Sequence, residues 1–322
     1  MRITPVTPTA GPDESGPPRS HRFGFACLVG RPNAGKSTLT NALVGEKVAI
    51  TSSRPQTTRH SVRGIITRPD SQLVLIDTPG LHKPRTLLGN RLNAVVRETW
   101  AGVDLIVMCI PADEAVGRGD EFIASEISEV RRTVRFAVVT KTDLVDAGTL
   151  AQRLTQVAAL GQRTGVDWTE IVPVCAVDGF QTRLLTDLLM AQLPEGPAMY
   201  PDGDLTDEPE LVMIGELIRE AALEGARDEL PHSIAVVVEE MALREGRPAD
   251  RPLADVHAVI YVERPSQKSI VIGTGGARLK AVGTQARSQI ERLLGTPVYL
   301  DLRVKVAKDW QRDPKALNRL GF

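Results

Sequence analysis

Between residues 22 and 193 the chain alternates short apolar runs with longer amphipathic segments. Near-continuous apolar runs rich in Val, Ile and Leu are typical of strands buried on both faces of a parallel sheet. Such runs lie at 23–29, 73–76, 105–110, 134–139 and 171–174. The segments between them predict helices at 36–44, 88–100, 120–130, 150–164 and 183–192. This alternation predicts a doubly wound, mostly parallel α/β domain that binds its ligand at the carboxyl ends of the strands.

The pattern changes after residue 193. Residues 193–210 hold four prolines, two glycines and six acids, which predicts a linker. Beyond it we predict a helix at 211–226, strands near 233–241 and 257–263, a helical segment near 276–294 and a last strand at 298–307. This order predicts a smaller α+β domain. We therefore expect a disordered extension at 1–21, a first domain at 22–193, a linker at 194–210 and a second domain at 211–322.

The formal net charge of −1 hides a strong asymmetry along the chain. Residues 195–250 carry fifteen acids against four bases, whereas residues 266–322 carry eleven bases against four acids. The basic segment indicates a polyanionic partner. Cys27, Cys109 and Cys175 each lie in an apolar run without metal-ligand spacing, which predicts buried, reduced thiols in a cytosolic protein. No apolar stretch approaches membrane-spanning length.

Residues 30–37 read G-R-P-N-A-G-K-S, between a predicted strand and a predicted helix. This order fits the phosphate-binding loop G-x-x-x-x-G-K-[ST], whose backbone N–H groups surround nucleotide phosphates. We expect Lys36 to reach the β and γ phosphates and Ser37 to bind Mg²⁺. The expected nucleotide-binding residues of this loop are Gly30, Arg31, Pro32, Asn33, Ala34, Gly35, Lys36, Ser37 and Thr38.

A second motif, D-T-P-G, follows the predicted strand at 73–76 and supplies Asp77, Thr78, Pro79 and Gly80 to the expected site. An aspartate at the end of this strand occupies the position of a Walker-B aspartate, which holds Mg²⁺. The Gly80 N–H can donate to the γ-phosphate, so that loss of this phosphate releases the loop.

The polar loop between these motifs contains P-Q-T-T-R-H at residues 55–60. A threonine in such a loop can ligate Mg²⁺ in the triphosphate state alone. Thr58 is favoured over Thr57, although both remain candidates. The expected metal ligands are Ser37, Thr58 and Asp77, and the expected switch residues are Thr57, Thr58, Gly80, Leu81 and His82.

Base selection is predicted from the strand end that reads Thr140-Lys141-Thr142-Asp143. It departs from the usual N-K-x-D by a threonine for asparagine, which removes one amide. Asp143 can accept hydrogen bonds from the guanine N1–H and exocyclic amine, which adenine does not present in this arrangement. Cys175-Ala176, after the next strand, corresponds to the usual S-A tip beside the base.

Hydrolysis lacks an obvious water-positioning side chain. Leu81 occupies the place where signalling GTPases carry a glutamine, so we expect slow intrinsic hydrolysis or help from another residue or ion. Asn33 is a candidate ligand for a monovalent cation such as K⁺. His60 and His82 are further candidates to position water.

In the second domain, residues 271–276 read V-I-G-T-G-G, an apolar helix end followed by a G-x-x-G loop and a new helix. In KH modules this loop lets the nucleic-acid backbone approach closely, because glycines place no side chain in the way. Basic residues on both sides can contact phosphates. The expected RNA-binding residues are Lys268, Gly273, Thr274, Gly275, Gly276, Arg278 and Lys280.

Together these motifs resemble the Era family of GTPases, from about residue 22 onward. The likeness rests on G-R-P-N-A-G-K-S, P-Q-T-T-R-H, D-T-P-G-L-H, L-P-E-G-P, I-G-T-G-G-A-R-L-K and the tail around Lys308-Asp309-Trp310. It implies a P-loop GTPase domain followed by a type II KH domain, with GTP or GDP and Mg²⁺ as ligands. It also implies binding near the 3′ end of small-subunit ribosomal RNA, a late role in assembling the small ribosomal subunit, and peripheral contact with the inner membrane face. We expect a cytoplasmic monomer.

Two alternatives stay open at this point. The first is a guanine-nucleotide regulator whose KH-like domain contacts protein or membrane instead of RNA. The second is a P-loop ATPase or nucleotide kinase. Asp143 argues against this second alternative, because its carboxylate fits guanine.

Overall fold

A six-stranded sheet with helices on both faces forms the first domain. The computed structural model describes residues 21–52, 57–81, 84, 86–224, 233–248 and 250–322. The strands are β1 (Arg22–Val29), β2 (Val62–Arg68), β3 (Ser71–Asp77), β4 (Leu105–Pro111), β5 (Val134–Thr140) and β6 (Glu170–Pro173). Their order is β2-β3-β1-β4-β5-β6, and all neighbours are parallel except β2 and β3. The predicted mostly parallel α/β fold is confirmed.

Five helices cover this sheet: α1 (Lys36–Val44), α2 (Leu87–Ala101), α3 (Arg118–Ser128), α4 (Ala147–Thr164) and α5 (Thr182–Ala191). Leu39 of α1 and Leu189 of α5 are buried on one face of the sheet. On the other face, Ile123 of α3 and Val157 of α4 are buried. Two apolar layers therefore hold the carboxyl ends of β1, β3 and β5 at one edge, where the predicted site lies.

The edge strand β2 is absent from the sequence-based prediction. Its residues, V-R-G-I-I-T-R, include a glycine and two arginines and so do not form a continuous apolar run. Gly64 is required by the packing of α1, because a Cβ there would lie 2.6 Å from Cγ2 of Val44. Pairing with β3 and packing under α1, both tertiary contacts, define this strand.

The second domain has a three-stranded sheet covered by helices. After α6 (Glu210–Leu223) come β7 (Ala235–Leu243), β8 (Ala254–Val262), α7 (Pro265–Ile272), α8 (Ala277–Leu294), β9 (Val298–Val306) and α9 (Pro314–Arg319). β7 is antiparallel to β8, and β8 is parallel to β9. Two helices separated by the glycine loop lie between β8 and β9, as the motif at 271–276 predicts, and α9 after β9 is an element that the predicted α-β-β-α-β order lacks.

The proline-rich segment before α6 lies against the first domain. The Ile65 N–H donates to the Leu205 carbonyl at 2.8 Å. Gln72 of β3 accepts from the Met199 and Tyr200 N–H groups at 2.9 and 3.0 Å. The segment predicted as a linker therefore follows the edge of the first sheet. Among the described residues, no helix is both long and apolar enough to cross a membrane.

Candidate nucleotide site and nucleic-acid interface

A cavity of about 330 Å³ opens at the carboxyl ends of the central strands. Its walls come from the loop between β1 and α1, from the segment before β2 and from the ends of β3 and β5. The lining residues are Pro32, Asn33, Ala34, Gly35, Lys36, Ser37, Thr38, Thr51, Ser52, Thr57, Thr58, Gly80, Glu114 and Lys141. The predicted phosphate loop thus forms one wall of the cavity.

The phosphate loop depends on its two glycines. A Cβ on Gly30 would lie 2.6 Å from the Cys109 carbonyl oxygen, and Gly35 has a φ of 86°, which favours glycine. Lys36 is buried, and its Nζ donates to the carbonyls of Gly30 at 3.3 Å and Arg31 at 3.0 Å. The ammonium group is therefore held inside the loop that is predicted to surround the phosphates.

Arg31 does not point into the cavity. Its Nε donates to Oδ1 of the fully buried Asp120 at 2.8 Å, and its Nη1 lies 2.8 Å from Oε2 of Glu114. These ion pairs tie the loop to α3. The predicted contribution of Arg31 to nucleotide binding is therefore limited to its backbone.

Three oxygen-bearing side chains meet at one point of the cavity. Ser37 Oγ donates to Asp77 Oδ2 at 2.6 Å, and Thr58 Oγ1 lies 2.8 Å from Ser37 Oγ and 3.1 Å from Asp77 Oδ2. Asp77 Oδ1 is buried and has no hydrogen-bond partner in the part of the chain that the structure describes. A hard divalent cation with oxygen ligands, such as Mg²⁺, fits this set.

The alternative threonine lies differently. Thr57 Oγ1 donates to the Ser52 carbonyl at 3.5 Å, away from Ser37 and Asp77. Of the two candidates, Thr58 is the one whose hydroxyl joins the other two predicted metal ligands.

Burial sets the electrostatics of this cluster. It lowers the pKa of Lys36, although the nearby Asp77 opposes the shift. Burial also raises the pKa of Asp77, against the charge of Lys36 and the hydrogen bonds from Ser37 and Thr58. Both charged forms are thus partly destabilised. A phosphate beside Lys36 and a divalent cation beside Asp77 would each restore the charged form.

The base-binding motif is tied to the phosphate loop. Thr140 is buried, and its Oγ1 donates to the Ala34 carbonyl at 2.7 Å. Cys175 Sγ donates to Asp143 Oδ1 at 3.1 Å and so orients the carboxylate that is predicted to recognise guanine. Lys141 lines the cavity. The predicted base-binding elements thus lie beside the phosphate loop.

The candidates for positioning water have different surroundings. Leu81 is buried in the apolar layer with Ile76 and Val96, so its side chain does not meet water. His60 stacks on the ring of Phe322 with centroids 5.0 Å apart, which corrects its prediction as a residue of the catalytic site. His82 lies outside the described residues.

The G-x-x-G loop forms a tight turn between α7 and α8. Gly273, Gly275 and Gly276 have φ values of 74°, 59° and 80°, and such positive values favour glycine at these positions. Thr274 and Gly275 are exposed. The Arg278 Nη2 donates to the carbonyls of Ala222 at 3.3 Å and Glu224 at 3.5 Å, so this guanidinium is held at the end of α6. The RNA-binding role of Arg278 stays a prediction, with its side chain held against α6.

A groove of about 510 Å³ runs from this loop between α8 and β9. Lys280, predicted from the sequence, lines it beside Arg287 and Tyr299, which were not predicted. Lys268, at the outer side of α7, is absent from the lining. The groove offers two positive charges and an aromatic ring that is about half exposed.

Comparison with known proteins identifies the family. The model of the 50S ribosome-binding GTPase family matches residues 25–141, and the model of the KH domain matches residues 229–311. The chain is 70% identical over 302 residues to GTPase Era of Streptomyces coelicolor, covering 94% of this chain and 95% of the relative. The chain belongs to the Era GTPase family. GTPase Era of Mycolicibacterium smegmatis is 64% identical over 302 residues, covering 94% of this chain and 99% of the relative.

Two solved Era structures resemble this one over almost their whole length. One is Era in complex with MgGDPNP and nucleotides 1506–1542 of 16S ribosomal RNA, with a TM-score of 0.87, 34% identity and coverage of 94% and 99% of the two chains. The other is an Aquifex aeolicus Era variant bound to GDP and AlF₄⁻, with a TM-score of 0.86, 33% identity and coverage of 93% and 99%. The predicted enzyme class and the GTPase–KH order are thereby confirmed.

Sequence reasoning missed the residues that join the two domains of this Era protein. The guanidinium of Arg59 lies 5.5 and 5.8 Å from the ring centroids of Trp310 and Phe322, and Arg219 donates to the Thr57 carbonyl. Thr57 precedes Thr58, which with Ser37 and Asp77 forms what is here called the magnesium cluster. Arg59 and Trp310 stand in motifs that carry the family resemblance, but nothing local in either motif indicates that they meet.

The Thr140 hydroxyl provides a first test of the nucleotide site. We expect Thr140→Val to weaken GDP and GTP binding by roughly 5- to 150-fold, because the buried Ala34 carbonyl loses its donor, at a cost of about 1–3 kcal/mol. Thr142→Val, at the variable position of the same motif, is the control and should bind normally. Calorimetric titration measures both, and equal affinities for the two variants would contradict the role of Thr140.

Proposed function

We propose that this Era GTPase is a nucleotide-controlled switch that binds small-subunit ribosomal RNA near its 3′ end and acts in assembly of the small ribosomal subunit. The observation that carries this proposal is the exposed glycine loop at the mouth of a basic groove. The solved Era complex with 16S ribosomal RNA, similar along 99% of its length, supports it.

For the nucleotide, we propose GTP and GDP with Mg²⁺ held by Ser37, Thr58 and Asp77. The phosphate-loop N–H groups and Lys36 would bind the phosphates, with Asp143 reading the base. Mg²⁺ would supply positive charge that neutralises the phosphates. Gly80 would donate its N–H to the γ-phosphate, so that hydrolysis to GDP and phosphate releases both this loop and Thr58.

Hydrolysis is proposed to be slow without help. The buried Leu81 supports this, because it offers no polar group to a water molecule. Asn33 lines the cavity with a φ of 62°, a conformation that asparagine tolerates, and is proposed as a ligand of K⁺ beside the phosphates. Potassium-dependent hydrolysis is the measurement that addresses this role.

For RNA, we propose that the backbone of a single strand passes over Thr274 and Gly275 and enters the groove. The glycines permit close approach, while Lys280 and Arg287 offer positive charge inside the groove. The half-exposed ring of Tyr299, which the Arg244 guanidinium approaches to 5.0 Å, can stack on a base. Lys268 and Arg278 are proposed to add positive charge near the phosphates, with the Arg278 side chain held against α6.

The test is binding of the whole protein to a short single-stranded RNA from the 3′ end of the small-subunit ribosomal RNA. We expect Thr274→Asp combined with Gly275→Asp to lower the affinity by on the order of 10-fold or more, because both charges repel phosphate. Asp is compatible with the positive φ at Gly275.

The matched control places the same two charges elsewhere. Ala198→Asp with Met199→Asp changes exposed residues beside the first domain, and should leave the RNA affinity near that of the unaltered protein. An equal loss in both double variants would mean that net charge, and not the loop, sets the affinity. Absence of RNA binding by the unaltered protein would favour a KH domain that contacts protein or membrane.

We also propose the domain limits stated above, with a GTPase domain at 22–193, a connecting segment at 194–210 and a KH domain at 211–322. A cytoplasmic monomer is proposed in the same way. Peripheral contact with the inner membrane face rests on the family resemblance alone.

A further inference from the structure

Residues 57–60, here called the switch segment, lie between the magnesium cluster and the second domain. Thr58 faces Ser37 and Asp77, whereas the backbone and side chains on both sides of it contact the KH domain. The Thr57 carbonyl accepts from Nη2 of Arg219, a residue of α6. A proposed metal ligand is therefore flanked by contacts that come from the other domain.

The next two residues of the switch segment extend these contacts. Arg59 Nη1 donates to the Ile234 carbonyl at 2.5 Å. Its guanidinium also lies 5.5 Å from the centroid of the Trp310 ring and 5.8 Å from that of Phe322. The ring of Phe322 stacks on His60 as well. Residues on both sides of Thr58 are thus held by contacts with the KH domain.

Charge makes this docked arrangement costly. Arg219 and Arg59 are only 1% and 2% exposed, and the two positive groups repel each other. Glu216 pairs with the Arg219 Nε at 2.8 Å and offsets part of this cost. Desolvation of two buried like charges therefore offsets part of the stability that these contacts give to the docked state.

The C-terminal end of α6, about one turn after Arg219, meets the glycine loop. The carbonyls of Ala222 and Glu224, at the end of this helix, accept from Arg278 of α8. Arg278 in turn packs against the loop, because a Cβ on Gly273 would lie 2.8 Å from the Arg278 Cβ. One helix of 14 residues therefore contacts the switch segment through Arg219 and the G-x-x-G loop through Arg278.

We propose that Arg219 is a positioning residue of the nucleotide site, contributed by the KH domain, and that α6 transmits the state of the switch segment to the G-x-x-G loop through Arg278. Arg219 holds the Thr57 carbonyl and so places the adjacent Thr58 hydroxyl beside Ser37 and Asp77. Release of Thr58 frees Arg219 and lets α6 move with the loop that it supports. The transmission to the loop rests on the proposed RNA binding, whereas the positioning of Thr58 does not.

The coupling is reciprocal by thermodynamic necessity. If the triphosphate state favours the docked switch segment and the docked segment favours RNA binding, then bound RNA must also favour the triphosphate state. An RNA strand on the groove would thereby strengthen the contact between Arg219 and Thr57, about one turn before the end of α6.

The test uses the full chain with Arg219→Met combined with Glu216→Gln. The pair of changes removes the hydrogen bond to Thr57 without leaving a buried carboxylate unpaired. We expect the Mg²⁺ concentration for half-maximal GTP hydrolysis to rise by about 10-fold and kcat to fall, with GDP affinity unchanged. Because the diphosphate state does not depend on Thr58, loss of the positioning contact alone leaves GDP affinity unchanged. A purely structural role would alter GDP binding as well.

Two further variants sharpen the result. Lys47→Met removes another link to α6, the ion pair of Lys47 with Glu220 at 2.5 Å, without touching the switch segment, and should leave the Mg²⁺ dependence unchanged. Arg219→Lys keeps the buried charge and should recover part of the kcat. If the double variant fails to bind GDP, Arg219→Met alone becomes the deciding variant, and a normal Mg²⁺ dependence in it would overturn the positioning role.

The transmission is measured by RNA affinity with GDPNP and with GDP. The unaltered protein should prefer RNA in one nucleotide state by about 10-fold, and the double variant should bind RNA equally in both. A preference that survives in the double variant overturns the transmission through α6. If the unaltered protein binds RNA in neither state, the proposed function falls together with the transmission, and the Mg²⁺ titration still decides the positioning role.

Discussion

An Asp143→Asn variant will prefer xanthine nucleotides to guanine nucleotides. Asp143 lies beside the phosphate loop with one oxygen held by Cys175 Sγ at 3.1 Å, so its carboxylate can accept from the guanine N1–H and amine. An asparagine amide instead offers a donor, which suits the 2-oxo group of xanthine. We expect the ratio of the two affinities to change by on the order of 10⁴-fold, because the unfavoured base leaves polar groups unpaired.

The measurement is competition between GDP and xanthosine diphosphate at equilibrium. Asp146→Asn is the matched control, since Asp146 caps α4 three residues further on and asparagine caps helices equally well. Guanine preference should persist in that variant. An unchanged guanine preference in Asp143→Asn would remove Asp143 from base recognition.

A Gly80→Ala variant will bind GDP normally and lose most of its GTP hydrolysis. A Cβ on Gly80 would lie 2.7 Å from the Pro32 nitrogen and 2.9 Å from the Pro32 Cα. Both contacts are with backbone atoms of the phosphate loop, which cannot move aside as a flexible side chain could. The Gly80 N–H would thereby be displaced from the position at which we propose that it donates to the γ-phosphate. Loss of one such donor reduces kcat by about 10²- to 10³-fold.

Single-turnover hydrolysis with a parallel GDP titration checks this expectation. Gly102→Ala serves as the control, because a Cβ there would meet nothing closer than the Thr99 carbonyl at 3.9 Å. That variant should hydrolyse GTP at the normal rate. Normal hydrolysis by Gly80→Ala would show that the close approach to Pro32 has no part in the reaction.

The site shows which departures from the familiar motifs preserve their geometry. Thr140 lacks the amide of the usual asparagine, yet its hydroxyl reaches the Ala34 carbonyl at 2.7 Å and ties β5 to the phosphate loop. Cys175 replaces serine, yet its thiol donates to Asp143. In both cases the substituted side chain carries a donor that reaches an acceptor within the site: a backbone carbonyl for Thr140 and a carboxylate for Cys175.

Local patterns in the sequence were enough to predict the α/β fold, the phosphate loop, the D-T-P-G motif and the glycine loop. Each has a local cause: buried strands require apolar runs, and tight turns require glycine at positive φ, as at Gly35 and Gly275. The edge strand β2 escaped prediction because its limits depend on pairing with β3 and on the packing of α1.

Only the tertiary structure decided which distant residues meet. Thr140 bonds to a carbonyl 106 positions earlier, and Arg219 to one 162 positions earlier. No local pattern encodes such a pair, because a hydroxyl or guanidinium finds its acceptor from the packing of whole elements. The same packing directs Arg31 to Asp120, Arg278 to the end of α6 and His60 to Phe322. Local sequence patterns therefore define the motifs and the order of the elements, whereas the packing of whole elements defines how the two domains are joined at the switch segment.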